Sequence, residues 1–278
     1  MSRLIVDIPG QTCNRFFSYL ESVSWAVVNK QKVRVIFWDP SLKYYSRLRH
    51  NKFISFPFYH RFLINLIGEK KYQDYVFRIF YHVKRYLNSE IVNGWDLREC
   101  DVYYPQVKKT ANKLFMPDSK IIKEVNTLFS FQRKVGKTII GVHFRRGDYK
   151  EFMGGRFYYE DDTYEALMTQ LEDLFKGEVK FFICTNGTIG KQVFDNHDAF
   201  HVNSPTVAHD LYALMQCDYI MGPPSTFSGW ASLVGNVPLK YIYYPNEIIK
   251  IEDFSPLVSN SRFQNGKGIW DALENNKL

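Results

Sequence analysis

Ionisable side chains crowd into nine residues of the stretch TIIGVHFRRGDYKEF, residues 138–152, among them His143, Arg145, Arg146, Asp148 and Glu151. An arginine guanidinium is always charged and forks onto two oxygens of a phosphate. Two adjacent arginines therefore point either to phosphate binding or to a salt-bridge network that braces the fold. Asp148 and Glu151 are the acid–base material, carboxylates able to take a proton from an attacking hydroxyl. A second stretch, MGPPSTFSGWASLVG, puts Ser225 and Thr226 at the opening of an apolar helix, with Phe227 and Ser228 next. A helix N-terminus offers backbone N–H groups and partial positive charge, and hydroxyls add donors, which suits a phosphate. The plain alternative is an N-cap, a role that Ser and Thr fill regardless of function. Together the two stretches suggest a diphosphate held without a divalent ion. No D-x-D occurs, and EDD at Glu160–Asp162 reads as the cap of the helix that follows. No G-x-x-x-x-G-K-[ST] occurs either, which argues against a P-loop.

The elements around these residues must place them together. TIIGV is β-branched and uncharged, the pattern of a strand buried on both faces. From there the chain alternates: TIIGVHF, DDTYEALMTQLEDLF, VKFFICTN, TIGKQVFDN, AFHV, VAHDLYALMQ, DYIMG, TFSGWASLVGN and PLKYIYY. Short strands alternating with helices predict an α/β fold, a parallel sheet with helices on both faces. Ligands of such sheets sit beyond the carboxyl ends of the strands, so HFRRGD and GPPSTFS share one rim. Neighbouring strand residues face opposite ways. If the strand reaches Arg146, one arginine faces the ligand and the other braces the fold, with Asp148 as the expected partner of the bracing one. The first half begins the same way, with RLIVDI, RFFSYLESVSWAVV and KVRVIFW as strand, helix and strand. A boundary near residue 130 divides the chain into 1–130 and 131–278.

The chain has 278 residues, 45% hydrophobic, enough for one large or two ordinary domains. Cys13, Cys100, Cys184 and Cys217 lie far apart with no zinc spacing, as expected of plain thiols in a reducing compartment. No signal peptide and no 18-residue apolar run is found, so the expected location is cytoplasmic. The net charge of +7 is uneven: residues 43–87 hold ten Lys or Arg against Glu69 and Asp74, interleaved with Phe and Tyr. Such a segment suits an anionic membrane surface, giving peripheral contact at its inner face, or a sugar-binding face. The plain alternative is a helical pair with core aromatics and solvated lysines. Nucleic acid is not expected, since no recognised binding signature accompanies the charge.

GVHFRRGDY resembles the H-x-R-R-G-D-Y motif of the α1,2-fucosyltransferases, and more loosely the H-x-R-R-x-D of α1,6-fucosyltransferases. HDLYALMQCDYIMGPPSTFSGWASLVG resembles a later block of the same family, and GQTCNRFFSY stands where that family has G-L-G-N-Q-M-F-Q-Y. The resemblance, to a glycosyltransferase of family 11 type, implies a GT-B fold: two Rossmann-like parallel-sheet domains facing a cleft, the first on the acceptor side. It implies an inverting, metal-independent enzyme with no cofactor, moving L-fucose from GDP-β-L-fucose to a glycan acceptor, through an α1,2 linkage. A different nucleotide sugar, or a glycan-binding relative without activity, is the alternative. By the likeness, Arg145 binds the diphosphate and stabilises the leaving GDP, supported by Arg146 and Asp148. His143 and Asp210 sit near the guanine, with Asp210 as acceptor. Ser225, Thr226, Phe227 and Ser228 surround the β-phosphate, and Asn14 and Arg15 face the cleft. Two departures stand out. The glycine-rich start is replaced by Gly10-Gln11-Thr12-Cys13-Asn14-Arg15, which bears on the acceptor, and Gly229-Trp230 replaces two tryptophans.

Overall fold

The computed structural model describes residues 2–38, 40–83, 89–99, 101–203, 205–258, 263–264 and 267–268. Cys100, Lys84 and Arg85 of the sequence reading lie outside these residues. The chain forms two compact units, residues 1–118 and 119–258.

The first unit runs β1 (Ser2–Ile5), α1 (Thr12–Asn29), β2 (Lys32–Val35), α2 (Ser46–Arg49), β3 (Ile54–Ser55), α3 (Phe58–Ile67), α4 (Glu69–Val83), β4 (Ser89–Val92) and α5 (Tyr104–Leu114). Its sheet has the order β3-β2-β1-β4 with every pairing parallel. Regular pairing in KVRVIFW stops at Val35, yet Ile36 and Phe37 continue into the core. Helix α1 is buried along most of its length, and its serines let neighbours come close. A side chain on Gly94 would begin 2.4 Å from the Ser18 carbonyl oxygen, so that approach requires glycine. Two buried carboxylates tie the unit together by accepting backbone N–H bonds. Asp7 accepts from Gly94 at 3.0 Å and Trp95 at 2.9 Å, joining the carboxyl ends of β1 and β4. Glu21 on α1 accepts from Val102, Tyr103 and Tyr104 at 2.9, 2.8 and 3.1 Å, fixing the entry to α5.

The second unit runs α6 (Ser119–Gln132), β5 (Thr138–Phe144), α7 (Asp161–Leu174), β6 (Val179–Thr185), α8 (Gln192–Asn196), β7 (Ala199–Phe200), α9 (Val207–Leu214), β8 (Tyr219–Gly222), α10 (Thr226–Gly235) and β9 (Leu239–Tyr241). The strand order is β7-β6-β5-β8-β9, again all parallel. The division falls at residue 118, ahead of the sequence estimate near 130, because α6 packs into the second unit. Phe129 of α6 lies 5.6 Å from the Phe182 ring and 5.5 Å from the Phe200 ring. The TIGKQVFDN segment is helical only over α8. Central strand β5 is buried on both faces, and Gly141 gives α9 room: a Cβ there would meet Leu214 Cδ2 at 2.6 Å. The strand order reverses between β5 and β8. Beyond the carboxyl ends of those two strands lies the crevice where open parallel sheets take ligands.

Candidate active site

His143 is the penultimate residue of β5, and its buried ring lies 5.1 Å from that of Phe227 in the first turn of α10. The contact depends on Gly222 at the end of β8. A Cβ on Gly222 would lie 2.9 Å from the Cβ and carbonyl oxygen of His143, so a side chain there would push the strand ends apart. Burial, and then the charge of Arg145, lower the His143 pKa to about 3, so the imidazole is neutral at physiological pH. Its Nδ1 is buried without a hydrogen bond, a costly state that a ligand could relieve. Asp210, in the first turn of α9, is half-buried, and desolvation raises its pKa to about 7. Cys184 pairs in register with His143 across β5 and β6. Its thiol is pushed well up by burial, with the Asp210 charge adding and that of Arg145 opposing. Asp210 and Arg145 thus both lie close enough to Cys184, the register partner of His143, for their charges to act on it.

The strand stops before both arginines, and they part all the same. Arg145 holds Asp148 with its terminal nitrogen 2.8 and 2.9 Å from the two carboxylate oxygens. Its guanidinium lies over the Tyr149 ring, 4.8 Å from the centroid. The Tyr149 hydroxyl donates to the Pro224 carbonyl at 2.6 Å, so Arg145 is fixed against the turn that opens α10. Arg146 goes inward. Its terminal nitrogens donate to the Tyr159 carbonyl and the Asp161 carboxylate. The guanidinium lies among the rings of Phe144, Tyr158 and Tyr164, at 5.6, 5.3 and 5.5 Å. The expected pairing is therefore corrected: Asp148 belongs to Arg145, and the brace on Arg146 is Asp161. Arg146 stands apart from the crevice because its donors are spent inside the fold. Asp161 does not cap α7; its second oxygen accepts from Gly190 N at 2.7 Å. Glu151 is exposed in the following turn and makes no side-chain hydrogen bond or ion pair among the described residues.

At α10, Ser225 is the N-cap, its hydroxyl accepting from Phe227 N at 3.2 Å. Ser228 is fully buried and donates to the Ser225 carbonyl at 3.2 Å, as does Tyr241 at 3.2 Å. Ser225 and Ser228 hold the turn, leaving Thr226 and Phe227 half-buried at its mouth. Asn14 belongs to the first unit, half-buried in the first turn of α1 and folded over Gly10, whose φ is 88°. Arg15 is corrected outright: it is buried and donates to Gly10 O at 2.7 Å, Trp38 O at 2.7 Å and Glu69 at 3.0 Å, bracing the unit from within. Among the described residues no three His, Cys, Asp or Glu side chains converge on a metal position.

Residues 120–246 match the family model described as Glycosyl transferase family 11. That match lies wholly within the second unit. The chain is accordingly an enzyme of the glycosyltransferase class, as the sequence resemblance implied. No curated protein sequence matches. Among solved structures it is similar to fucosyltransferase NodZ from Bradyrhizobium, at 18% identity over 90% of this chain and 98% of that one, TM-score 0.52. NodZ alpha-1,6-fucosyltransferase soaked with GDP-fucose is 17% identical over 91% and 97%, TM-score 0.50. A variant of Arabidopsis thaliana FUT1 in complex with GDP is 13% identical over 94% and 74%, TM-score 0.51. At these identities the likeness shows the fold, two Rossmann-like parallel-sheet units of the GT-B type.

Sequence reasoning missed Tyr149 and Asp161 as parts of the candidate site. Tyr149 stands inside HFRRGDY, four residues after Arg145, where one tight turn brings the ring under the guanidinium. Asp161 was hidden by the good capping sense of EDD before an apolar helix.

Proposed function

We propose that the protein transfers L-fucose from GDP-β-L-fucose to a sugar hydroxyl of a glycan, with inversion and without a bound metal ion. The observation that carries this reading is the cluster at the β5–β8 crevice. Neutral His143, Asp210 with its adjustable charge and firmly held Arg145 stand beside the N-terminus of α10, all within the family 11 match. Asp210 as a carboxylate accepts the guanine N1–H and 2-amino group, a pairing that uracil does not offer. Solved structures of similar fold, one soaked with GDP-fucose and one in complex with GDP, support the same donor.

In the transfer, the bond between sugar C1 and the diphosphate oxygen breaks while the acceptor oxygen bonds C1 from the opposite face. The diphosphate gains charge, and a preorganised donor aimed there is worth about 2.7–4 kcal/mol in the transition state. Arg145 is that donor, with its fork set by Asp148 and Tyr149. The acceptor proton leaves to a base. Asp148 is already paired with Arg145, so the unpaired Glu151 carboxylate is the side chain assigned here. The α1,2 linkage follows the sequence resemblance.

The test is thermal stabilisation by GDP, GDP-fucose, GDP-mannose and UDP, followed by turnover of the stabilising sugar nucleotide in excess EDTA. A nucleotide at 100 times its Kd adds about 2.7 kcal/mol of stability. GDP and GDP-fucose should stabilise, UDP should not, and glycan-dependent GDP release should survive EDTA. Stabilisation by UDP alone would overturn the donor, and loss in EDTA with rescue by Mn²⁺ would overturn the metal-free step.

A further inference from the structure

Helix α3 in the first unit is apolar on both sides. Leu63 and Ile64 pack on the core cluster built from Leu4, Val6, Phe37, Tyr72 and Val76. On the other side Phe62 is 61% and Leu66 69% exposed, one helical turn apart, with Ile67 beside them at 40%. A surface helix ordinarily turns charged or polar residues to water, whereas on α3 Asn65 stands among large exposed apolar side chains, a patch of the kind that marks an interaction surface. Gly68, with φ of 86°, ends α3 and turns the chain directly into α4, which opens on Glu69, Lys70 and Lys71. Glu69 is taken by Arg15, so its charge is answered inside the unit. Lys70, Lys71 and Arg78 are exposed on α4, with Tyr75 exposed at 54% among them and Asp74 the one exposed acid of that helix among residues of described exposure.

We infer that the α3–α4 hairpin is a docking surface for an anionic phospholipid bilayer, with Phe62 and Leu66 inserted at the headgroup boundary and Lys70, Lys71 and Arg78 on the lipid charges. The charge selects this occupant. Large apolar side chains flanked by lysines are the composition of helices that lie in the membrane interface. A second protein presenting an acidic apolar groove would equally match the lysines, but residues 43–87 carry ten basic residues against two acidic ones, a bias suited to a charged plane rather than to one groove. No helix of the described residues is long and apolar enough to cross a membrane, so the contact is peripheral. The inference does not depend on the donor or on the reaction.

Flotation of the full chain with vesicles of phosphatidylcholine alone, and of phosphatidylcholine with one third phosphatidylserine, tests it. Binding should be confined to the phosphatidylserine vesicles and should weaken as salt rises. Each lysine near an anionic surface contributes roughly fivefold to partitioning. Lys70→Glu with Lys71→Glu should therefore cost at least ~25-fold. Phe62→Ser with Leu66→Ser should cost on the order of tenfold or more, through apolar area that no longer leaves water. All four positions are exposed, and an unchanged circular dichroism spectrum and melting curve of each double variant serve as the folding control. Failure to float with anionic vesicles, equal binding to neutral ones, undiminished binding by either double variant, or a dimer that forms through this face and excludes vesicles would each overturn the inference.

Discussion

The hydroxyl of Tyr149 donates to the Pro224 carbonyl at 2.6 Å while the ring of the same residue carries the Arg145 guanidinium at 4.8 Å. One side chain thereby sets the distance between the arginine and the turn that opens α10. Tyr149→Phe keeps the ring and strands a buried carbonyl, which costs about 1–3 kcal/mol. Chemical denaturation should show that loss, with GDP affinity falling only a few-fold. Tyr149→Leu also removes the support under Arg145, so kcat should fall further than in Tyr149→Phe. Equal kcat in the two variants would show that the ring contact does not position the arginine.

The two arginines should respond in opposite ways. Arg145→Lys keeps a charge but loses the planar fork, and kcat is expected to fall on the order of 10²–10³-fold with little change in stability. Arg146→Ala leaves Asp161 half of a buried pair, with side chains only 6% and 18% exposed, and should destabilise by roughly 3–5 kcal/mol. Steady-state rates and melting curves on both variants decide the matter. A thermally fragile Arg145→Lys with normal rate would reverse the assignment.

Much of this was legible in the sequence, because hydrophobic period and strand ends are local properties. The β-branched run predicts β5 over its full length, and both arginines follow directly on its carboxyl end, although only Arg145 stays at the crevice. Partner choice was not legible. The sequence puts Asp148 two residues from Arg146, yet the guanidinium of Arg146 turns into rings contributed by Phe144, Tyr158 and Tyr164. Only the packed fold brings Asp161 to it. Arg15 misled for the same reason: its three acceptors come from Gly10, Trp38 and Glu69, far apart in the chain. The basic-aromatic pattern admits a helical pair as its plain alternative, and α3 and α4 form two successive helices there. The composition did not tell which aromatics would point outward.

Asp210 gives a pH signature. Its ordinary pKa of 3.8 is raised to about 7 by desolvation, so between those values the folded chain holds a proton that the unfolded chain has lost. Its contribution to stability therefore declines as pH rises from about 4 to 7, then levels off. Guanine binding runs the other way, because only the ionised carboxylate accepts twice. GDP affinity should rise between pH 6 and 8, by up to ~tenfold per unit below the pKa. His143 adds no step there, being neutral with a pKa of about 3. Asp210→Asn should bind GDP about 1–3 kcal/mol more weakly and without that rise. The phosphate of GDP titrates in both proteins, so calorimetric titrations of the two are compared. Parallel pH profiles would remove Asp210 from the base site.

The helix N-terminus can be tested without dismantling it. Thr226 is the first residue of α10, a position where proline is tolerated because its fixed φ suits a helix start. The residue before a proline must be extended, and Ser225 already is, with φ −150° and ψ 138°. Thr226→Pro thus fits the backbone while deleting one N–H and one hydroxyl from the mouth of the turn. The Ser225 cap on Phe227 N survives, so melting should shift by no more than about 1 kcal/mol. If the β-phosphate rests on this turn, GDP affinity should fall by at least tenfold, since hydrogen bonds to a charged group are worth about 1.5–3 kcal/mol. Guanosine, which has no phosphate, should bind the variant and the parent alike. That contrast separates a lost phosphate contact from a disturbed fold. Undiminished GDP affinity in a folded Thr226→Pro protein would place the diphosphate elsewhere.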